Sequence, residues 1–463
     1  MNQNTFLKKI VLITALFFVF SCTKIKEVVN PVDSSFVSSK SDIVWKWNEL
    51  FLKTDSHVPG YRPPIAARAL AYMNILRYES IASQFKEHQS IASTIGFPDL
   101  TQPEVTKEYH WGVVLNTTSS FAMKGFIQTM NEQDFKSIDS LAKTFDDIFK
   151  TECDSLVFKR SKDFALALYK NVYTYSLSDG QSSAFRNNKP TDYIPPVGID
   201  KWKSTPPDNL LALAPRWGAV RTFAIQSQDR VMPDPIPFSV EPSSEFYKQG
   251  KEVYDAFKNP TSEQRWMAEF WSDDASTFTI DAASRQYSIL TQLLKNKKES
   301  VENSLVLCAK LSVLLHDASV ACWDNKFKYN LLRPYSYITE NISKDFKTML
   351  RDPTKPAGQQ EGVTPQHPSY PSGHSVYAQG AAEIFINQWG DKNTFTDFAP
   401  EGKRNYYDMR PRTYKSFTAM SQENAYSRIY LGVHYRMDCD QGLALGKKVG
   451  TRINSLPWTK VAI

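Results

Sequence analysis

Three short patterns between Trp323 and Asp438 collect residue types suited to holding an oxyanion. Lys326 is followed after six residues by Arg333-Pro334, then comes Pro371-Ser372-Gly373-His374, and Ser427-Arg428 leads after five residues to His434 and after three more to Asp438. In one pocket Lys326, Arg333 and Arg428 would repel pairwise by roughly 3 kcal/mol, at ~6 Å and an effective dielectric of about 20. A multivalent oxyanion relieves that repulsion. Gly373 lets the backbone approach the anion and Ser372 offers a hydroxyl. Pro371 is placed to open a helix whose N-terminal N–H groups face the ligand. His374 stands where an acid or base is wanted. His434 and Asp438 are spaced i, i+4, so on a helix the carboxylate reaches one ring nitrogen and fixes the tautomer, leaving the other for the anion. Taken singly each residue has a plainer use: a helix lysine often covers apolar surface with its stem, and a lone histidine is often a satisfied core or surface group.

In order and wording the three patterns resemble the type-2 phosphatidic acid phosphatase and vanadium-dependent haloperoxidase superfamily, whose members hold phosphate or vanadate in one shared site. The resemblance implies that Lys326, Arg333, Ser372, Gly373 and Arg428 cradle the oxyanion. In phosphatase members a histidine matching His434 attacks phosphorus, and the residue matching His374 protonates the leaving oxygen. In haloperoxidase members the same histidine binds vanadium and the match of His374 assists peroxide binding and protonation. Trp323 lies three residues before Lys326, as haloperoxidases have it, and is counted with the vanadate-binding set. His367 lies seven before His374, where bromide- and iodide-oxidising members resemble each other in having histidine and chloride-oxidising ones have an aromatic. Around Thr277 to Ser284 the sequence departs from the family, lacking the Pro-Pro-Gly-His-Trp-like phrase found there. Asp273 or Asp274 is a candidate carboxylate partner for one of the arginines.

The elements that must position these residues read as helices. Pro63-Pro64 opens an Ala-rich helix to about Phe85, and helical patterns cover roughly 105–128, 131–150, 157–177, 243–258, 261–272, 283–295, 301–326, 372–389, 412–430 and 435–454. His316, Val320, Trp323 and Phe327 fall on one face of 301–326, which turns Trp323 and Lys326 inward. From Tyr193 to Pro242 the periodicity lapses and prolines and aromatics alternate, a long ordered loop. The proline-rich stretch 351–371 delivers His367. Strand signals are weak, so the expected fold is all-α: helical bundles sharing one core, with the oxyanion site among facing helices.

Residues 1–22 read as an export signal, with Lys8-Lys9, an apolar run from Ile10 to Phe20, and Ser21-Cys22 resembling a bacterial lipobox. That implies lipid attachment at Cys22 and a body lying outside the cytoplasm, facing the periplasm or cell surface. Residues 23–42 read as a polar tether and 43–463 as one haloperoxidase- or acid-phosphatase-like domain with its motif core at 323–438. No later stretch reads as a membrane span. The net charge of +6 is spread along the chain, which gives nucleic-acid binding no support. Cys153, Cys308, Cys322 and Cys439 show no zinc-type spacing, and on one helix Cys308 and Cys322 stand about 21 Å apart, too far to bridge.

The expected activity is vanadate-dependent oxidation of iodide or bromide by hydrogen peroxide, with vanadate as the cofactor and phosphate able to occupy its site. The alternatives are a phosphomonoesterase acting on phosphate esters through a phosphohistidine, and a non-catalytic oxyanion-binding lipoprotein.

Overall fold

The computed structural model describes residues 34–98, 100–206, 209–273, 279–352, 356, 360–398 and 407–460. The export signal and Cys22 lie outside these residues, as does Asp274. The first half contributes α1 (Ser34–Ser38), α2 (Asp42–Asp55), α3 (Ile65–Ile81), α4 (Trp111–Phe126), α5 (Glu132–Phe149) and α6 (Ser155–Ser176). After the long loop come α7 (Glu245–Lys258), α8 (Ser262–Phe270), α9 (Ala282–Lys297), α10 (Val301–Tyr329), α11 (Pro334–Asn341), α12 (Gly373–Trp389), α13 (Phe417–Tyr430) and α14 (Arg436–Asn454). Many start at side-chain caps, which accept otherwise orphaned N–H groups: Asp154 for α6, Asp281 for α9, Ser300 for α10 and Ser416 for α13. Asn131 and Thr261 form capping boxes for α5 and α8.

Two helical groups share one apolar core that runs from Val37 to Trp458. In the first, α3, α4 and α6 pack on one another; in the second, α12, α13 and α14 do so, and α10 lies against both α3 and α12. The α12–α14 contact is close because Gly442, Gly446 and Gly450 recur at four-residue intervals on α14. A Cβ at position 442 would come within 2.8 Å of the Ser372 carbonyl oxygen. This stripe sets the helix bearing His374 directly against the helix bearing Asp438.

Several expectations need correction. The helix read over 105–128 begins only at Trp111, because His110 is its cap and Nδ1 accepts from the Val113 N–H. Residues Arg412–Tyr414 are not the start of a helix: they alternate buried and exposed and pair antiparallel with Phe395–Asp397. The tether read over 23–42 is docked at its end, since α1 buries Val37 in the core and the Ser39 carbonyl accepts from Val301 N–H. Helix α11 was not anticipated, although Pro334 at its first turn is a standard opening.

Helix α10 is buried on nearly every side instead of one face, and by length and composition it would cross a membrane. Here its apolar window is wholly enclosed by protein. Its ionisable groups find internal partners: the Asp317 carboxylate accepts N–H bonds from Phe223, Ala224 and Ile225, and His316 Nε2 bonds the Arg221 carbonyl. The loop 193–242 is thereby clamped onto α10, with Trp202, Trp217 and Phe223 buried. Cys153, Cys308, Cys322 and Cys439 are all free thiols.

Candidate oxyanion site

Lys326 comes from the last turn of α10, and the left-handed Asn330 then reverses the chain so that Arg333 caps α11. Ser372 caps α12 and His374 lies in its first turn. Arg428 ends α13, His434 precedes α14 and Asp438 lies in the first turn of α14. The fold thus converges five helix ends, those of α10 to α14, on one buried point, and Lys326, Arg333, Arg428, His434 and Asp438 are all at most 2% exposed.

The His434 tautomer is fixed from both sides. Nδ1 lies 2.9 Å from Asp438 Oδ2, and Nε2 lies 3.1 Å from Arg333 NH1, which can only donate. Nδ1 therefore carries the proton and Nε2 presents its lone pair. Burial, then the charges of Arg333, Lys326 and Arg428, hold the ring far below the usual histidine range, so it is neutral. Burial raises Asp438 to about 6, against the lowering by the Ser369 hydroxyl, Lys326 and Arg333. It is the carboxylate that accepts from His434 at neutral pH.

Lys326 Nζ donates to the carbonyls of Pro368 (3.0 Å), Ser369 (2.9 Å) and Pro371. Burial lowers its pKa to about 7, with Arg333 adding repulsion. Arg333 also donates to the Val433 carbonyl at 2.8 Å and, through Nε, to the His367 carbonyl at 2.8 Å. Arg428 NH1 donates to the Trp271 carbonyl at 2.9 Å. Asp273, buried two residues on, folds back on the same residue, its N–H 3.1 Å from the Trp271 carbonyl.

Four site expectations change. Trp323 has a single N–H, and that bond goes to the Leu213 carbonyl at 3.2 Å, so it walls the site without donating to the anion; its ring centroid lies 5.1 Å from that of His367. His367 arrives on the loop before α12, as expected, but it is partly buried and committed. Its Nδ1 accepts from Arg333 NH2 at 2.9 Å, and burial together with Lys326 and Arg333 keeps it neutral. Pro371 does not begin α12 but lies two residues before it, and Ser372 caps the helix by accepting from Ser375 N–H at 3.4 Å. Gly373 is also not sterically forced, because a Cβ there would meet Trp323 at an ordinary 3.7 Å. Sequence reading missed the carbonyls of Trp271, Val433 and Pro368, which no residue type advertises, and Ser369, a polar residue set between prolines.

Residues 306–456 match the family model for the second helical-bundle domain of VCPO. Over 91% of this chain and 97% of the other, the structure superposes on a bacterial vanadium-dependent iodoperoxidase with a TM-score of 0.77 at 24% identity. The fold is that of the vanadium haloperoxidases. A holo-type bacterial vanadium-dependent chloroperoxidase shares this haloperoxidase fold with a TM-score of 0.65 at 13% identity, covering 91% of this chain and 98% of that one. Among curated sequences, the vanadium chloroperoxidase of Curvularia inaequalis is 26% identical over 39% of this chain. The match spans only 37% of that relative's length.

Proposed function

We propose that this chain is a vanadate-dependent haloperoxidase that oxidises iodide or bromide with hydrogen peroxide. The observation that carries the reading is His434: a buried neutral imidazole, its Nδ1–H held by Asp438, presents Nε2 amid Lys326, Arg333 and Arg428. The residues fit vanadate. The donor set is three cations, the Ser372 hydroxyl, the first amides of α12 and one nitrogen ligand, which suits an oxyanion. It does not suit a bare divalent cation, and among the described residues no cluster of three or more His, Cys, Asp or Glu could hold one. When bound, vanadate would supply Lewis acidity without changing oxidation state.

The protein's own part is binding and proton handling. Lys326, Arg333 and Arg428 balance the anion's charge, and the Ser372 hydroxyl and Gly373 N–H add neutral donors. Because His434 Nε2 accepts from Arg333, ligation through that nitrogen requires this contact to open. On this reading His374, 7% exposed in the first turn of α12, gives and takes the proton of peroxide. His367, neutral with Nδ1 occupied by Arg333, has its remaining N–H at Nε2 as a fixed donor beside Trp323. This His367–Trp323 wall favours halide oxidation over phosphate-ester hydrolysis, and the similarity to an iodoperoxidase supports iodide.

Purified protein should oxidise iodide only when both vanadate and peroxide are present, and phosphate should inhibit by competition. Rapid phosphate-ester hydrolysis without vanadate, and no halide oxidation with it, would instead make this a phosphatase. The lipobox-like Ser21-Cys22 supports a further proposal, that the enzyme is exported and held at a bacterial membrane by lipid on Cys22.

A further inference from the structure

We propose that Ser369 is a positioning residue that fixes how His434 presents Nε2 to the oxyanion, a role that rests on the function proposed above. Ser369 is fully buried and makes one bond into each neighbouring part of the site. Its N–H donates to the Leu331 carbonyl at 2.9 Å, two residues before Arg333. Its carbonyl accepts from Lys326 Nζ at 2.9 Å. Its hydroxyl donates to Asp438 Oδ2 at 2.5 Å. The same carboxylate oxygen receives His434 Nδ1 at 2.9 Å and Tyr435 N–H at 3.1 Å, whereas Asp438 Oδ1 meets no hydrogen-bond partner among the described residues.

All the orientation of the Asp438 carboxylate is therefore carried by one oxygen with three donors. Two of those donors lie within four residues of Asp438 on its own segment and move with it. The Ser369 hydroxyl is the donor that comes from elsewhere in the chain, and it comes from the residue whose carbonyl also holds Lys326. Ser369 thus sets the distance between the ammonium of the first pattern and the imidazole of the third. Removing the hydroxyl leaves every charge of the cradle in place but frees the carboxylate to turn. The ring then loses its single orientation.

The test uses full-length protein without vanadate. Binding of inorganic phosphate is measured by calorimetry, and the tautomer of His434 by ¹⁵N NMR of imidazole-labelled protein, on wild type, Ser369→Ala and Ser369→Thr. Wild type should show His434 protonated at Nδ1 alone. Ser369→Ala should weaken phosphate binding by about tenfold or more and shift the ¹⁵N resonance of His434 Nδ1, as its bond to a carboxylate free to turn loosens, in line with the ~10–100-fold cost of losing a residue that orients a ligand. Ser369→Thr, which restores a hydroxyl, should recover both. Unchanged affinity and an unchanged Nδ1 resonance in Ser369→Ala would overturn the proposal, as would a threonine variant that folds yet recovers neither. If Ser369→Ala does not fold, Ser369→Cys, which fills the volume but donates weakly, is judged by the same two readouts. Neither readout uses halide or peroxide, so failure here is distinct from failure of the haloperoxidase reading.

Discussion

The guanidinium of Arg333 lies against His434, with NH1 3.1 Å from Nε2. A donor aimed at the one free lone pair of a neutral imidazole marks where an anion ligated by that nitrogen must enter. Arg333→Ala, Lys326→Ala and Arg428→Ala should each weaken phosphate and vanadate binding by on the order of 1.5–3 kcal/mol, the scale of a lost charge-assisted bond. His434→Ala should abolish turnover. Calorimetry showing unchanged affinity in all three cation variants would place the anion elsewhere.

His367 and His374 should separate kinetically. His367→Ala removes a neutral donor and one acceptor for Arg333, so vanadate affinity should fall no more than a few-fold while halide turnover drops or the iodide-to-bromide ratio shifts. His374→Ala should cost far more activity. Because burial first, then Lys326 and Arg333, hold His367 well below the usual histidine range, the ring itself should not titrate between pH 6 and 8. Equal rates and ratios in His367→Ala and wild type would reduce this residue to a wall.

Lys310 gives a pH prediction remote from the site. It is buried in α10 with its ammonium 3.5 Å from Asn387 Oδ1, and burial lowers its pKa from 10.5 to about 8. Between about 8 and 10.5 the unfolded chain binds more protons than the folded one at this residue, so its contribution to stability rises with pH and is lost as pH falls through 8. Lys310→Met should stabilise the protein at pH 7 by about 1–3 kcal/mol and flatten the rise above pH 8. Urea melts at pH 7 and pH 10 decide it, and an equal effect at both would exclude the charge as the cause.

Arg285 should matter for stability and for the anion together. It is fully buried, pairs with Asp397 at 2.7 Å and lies over the rings of Phe270 and Trp271. Trp271 in turn offers its carbonyl to Arg428. Arg285→Met should destabilise by on the order of 3–5 kcal/mol, since it strands a buried carboxylate, and should also weaken phosphate binding. Thermal melts and calorimetry on the same variant test both halves, and intact affinity in a destabilised protein would show that Trp271 holds its place without Arg285.

For the proposed lipid anchor, Cys22→Ser should lose incorporation of radiolabelled fatty acid and remain uncleaved or be released. Equal labelling of variant and wild type would remove the lipobox reading.

The cradle was legible because Lys326, Arg333, Arg428, His434 and Asp438 act through side chains whose chemistry is tied to residue type. Spacing put Asp438 within reach of His434, as found, although His434 stands two residues before α14 and not on it. What escaped was carried by backbone or by long-range packing. The carbonyls that hold Lys326 and Arg428 belong to residues of any kind. The destination of the Trp323 N–H depended on where Leu213 fell, 110 residues away. Helix α10 reads as one-faced because polar residues such as Lys310 and Asp317 imitate a solvent side, whereas each is met by a partner from a distant loop or helix. Likewise Arg412–Tyr414 lead straight into α13 in sequence, and their strand state rests on long-range pairing with Phe395–Asp397.

The enclosure of α10 bears on how the chain would be exported. A translocation channel tests each passing segment for partition into lipid before any fold exists, and the 18-residue apolar window within this 29-residue helix invites arrest there. Lys310 and Asp317 lie inside that stretch, and a lysine or aspartate near the centre of a would-be span opposes insertion by about 2.5–3.5 kcal/mol. On the proposed export route, the same two charges that burden the folded core would keep the nascent chain moving. A variant such as Lys310→Met, more stable once folded, would then stall more often on its way out.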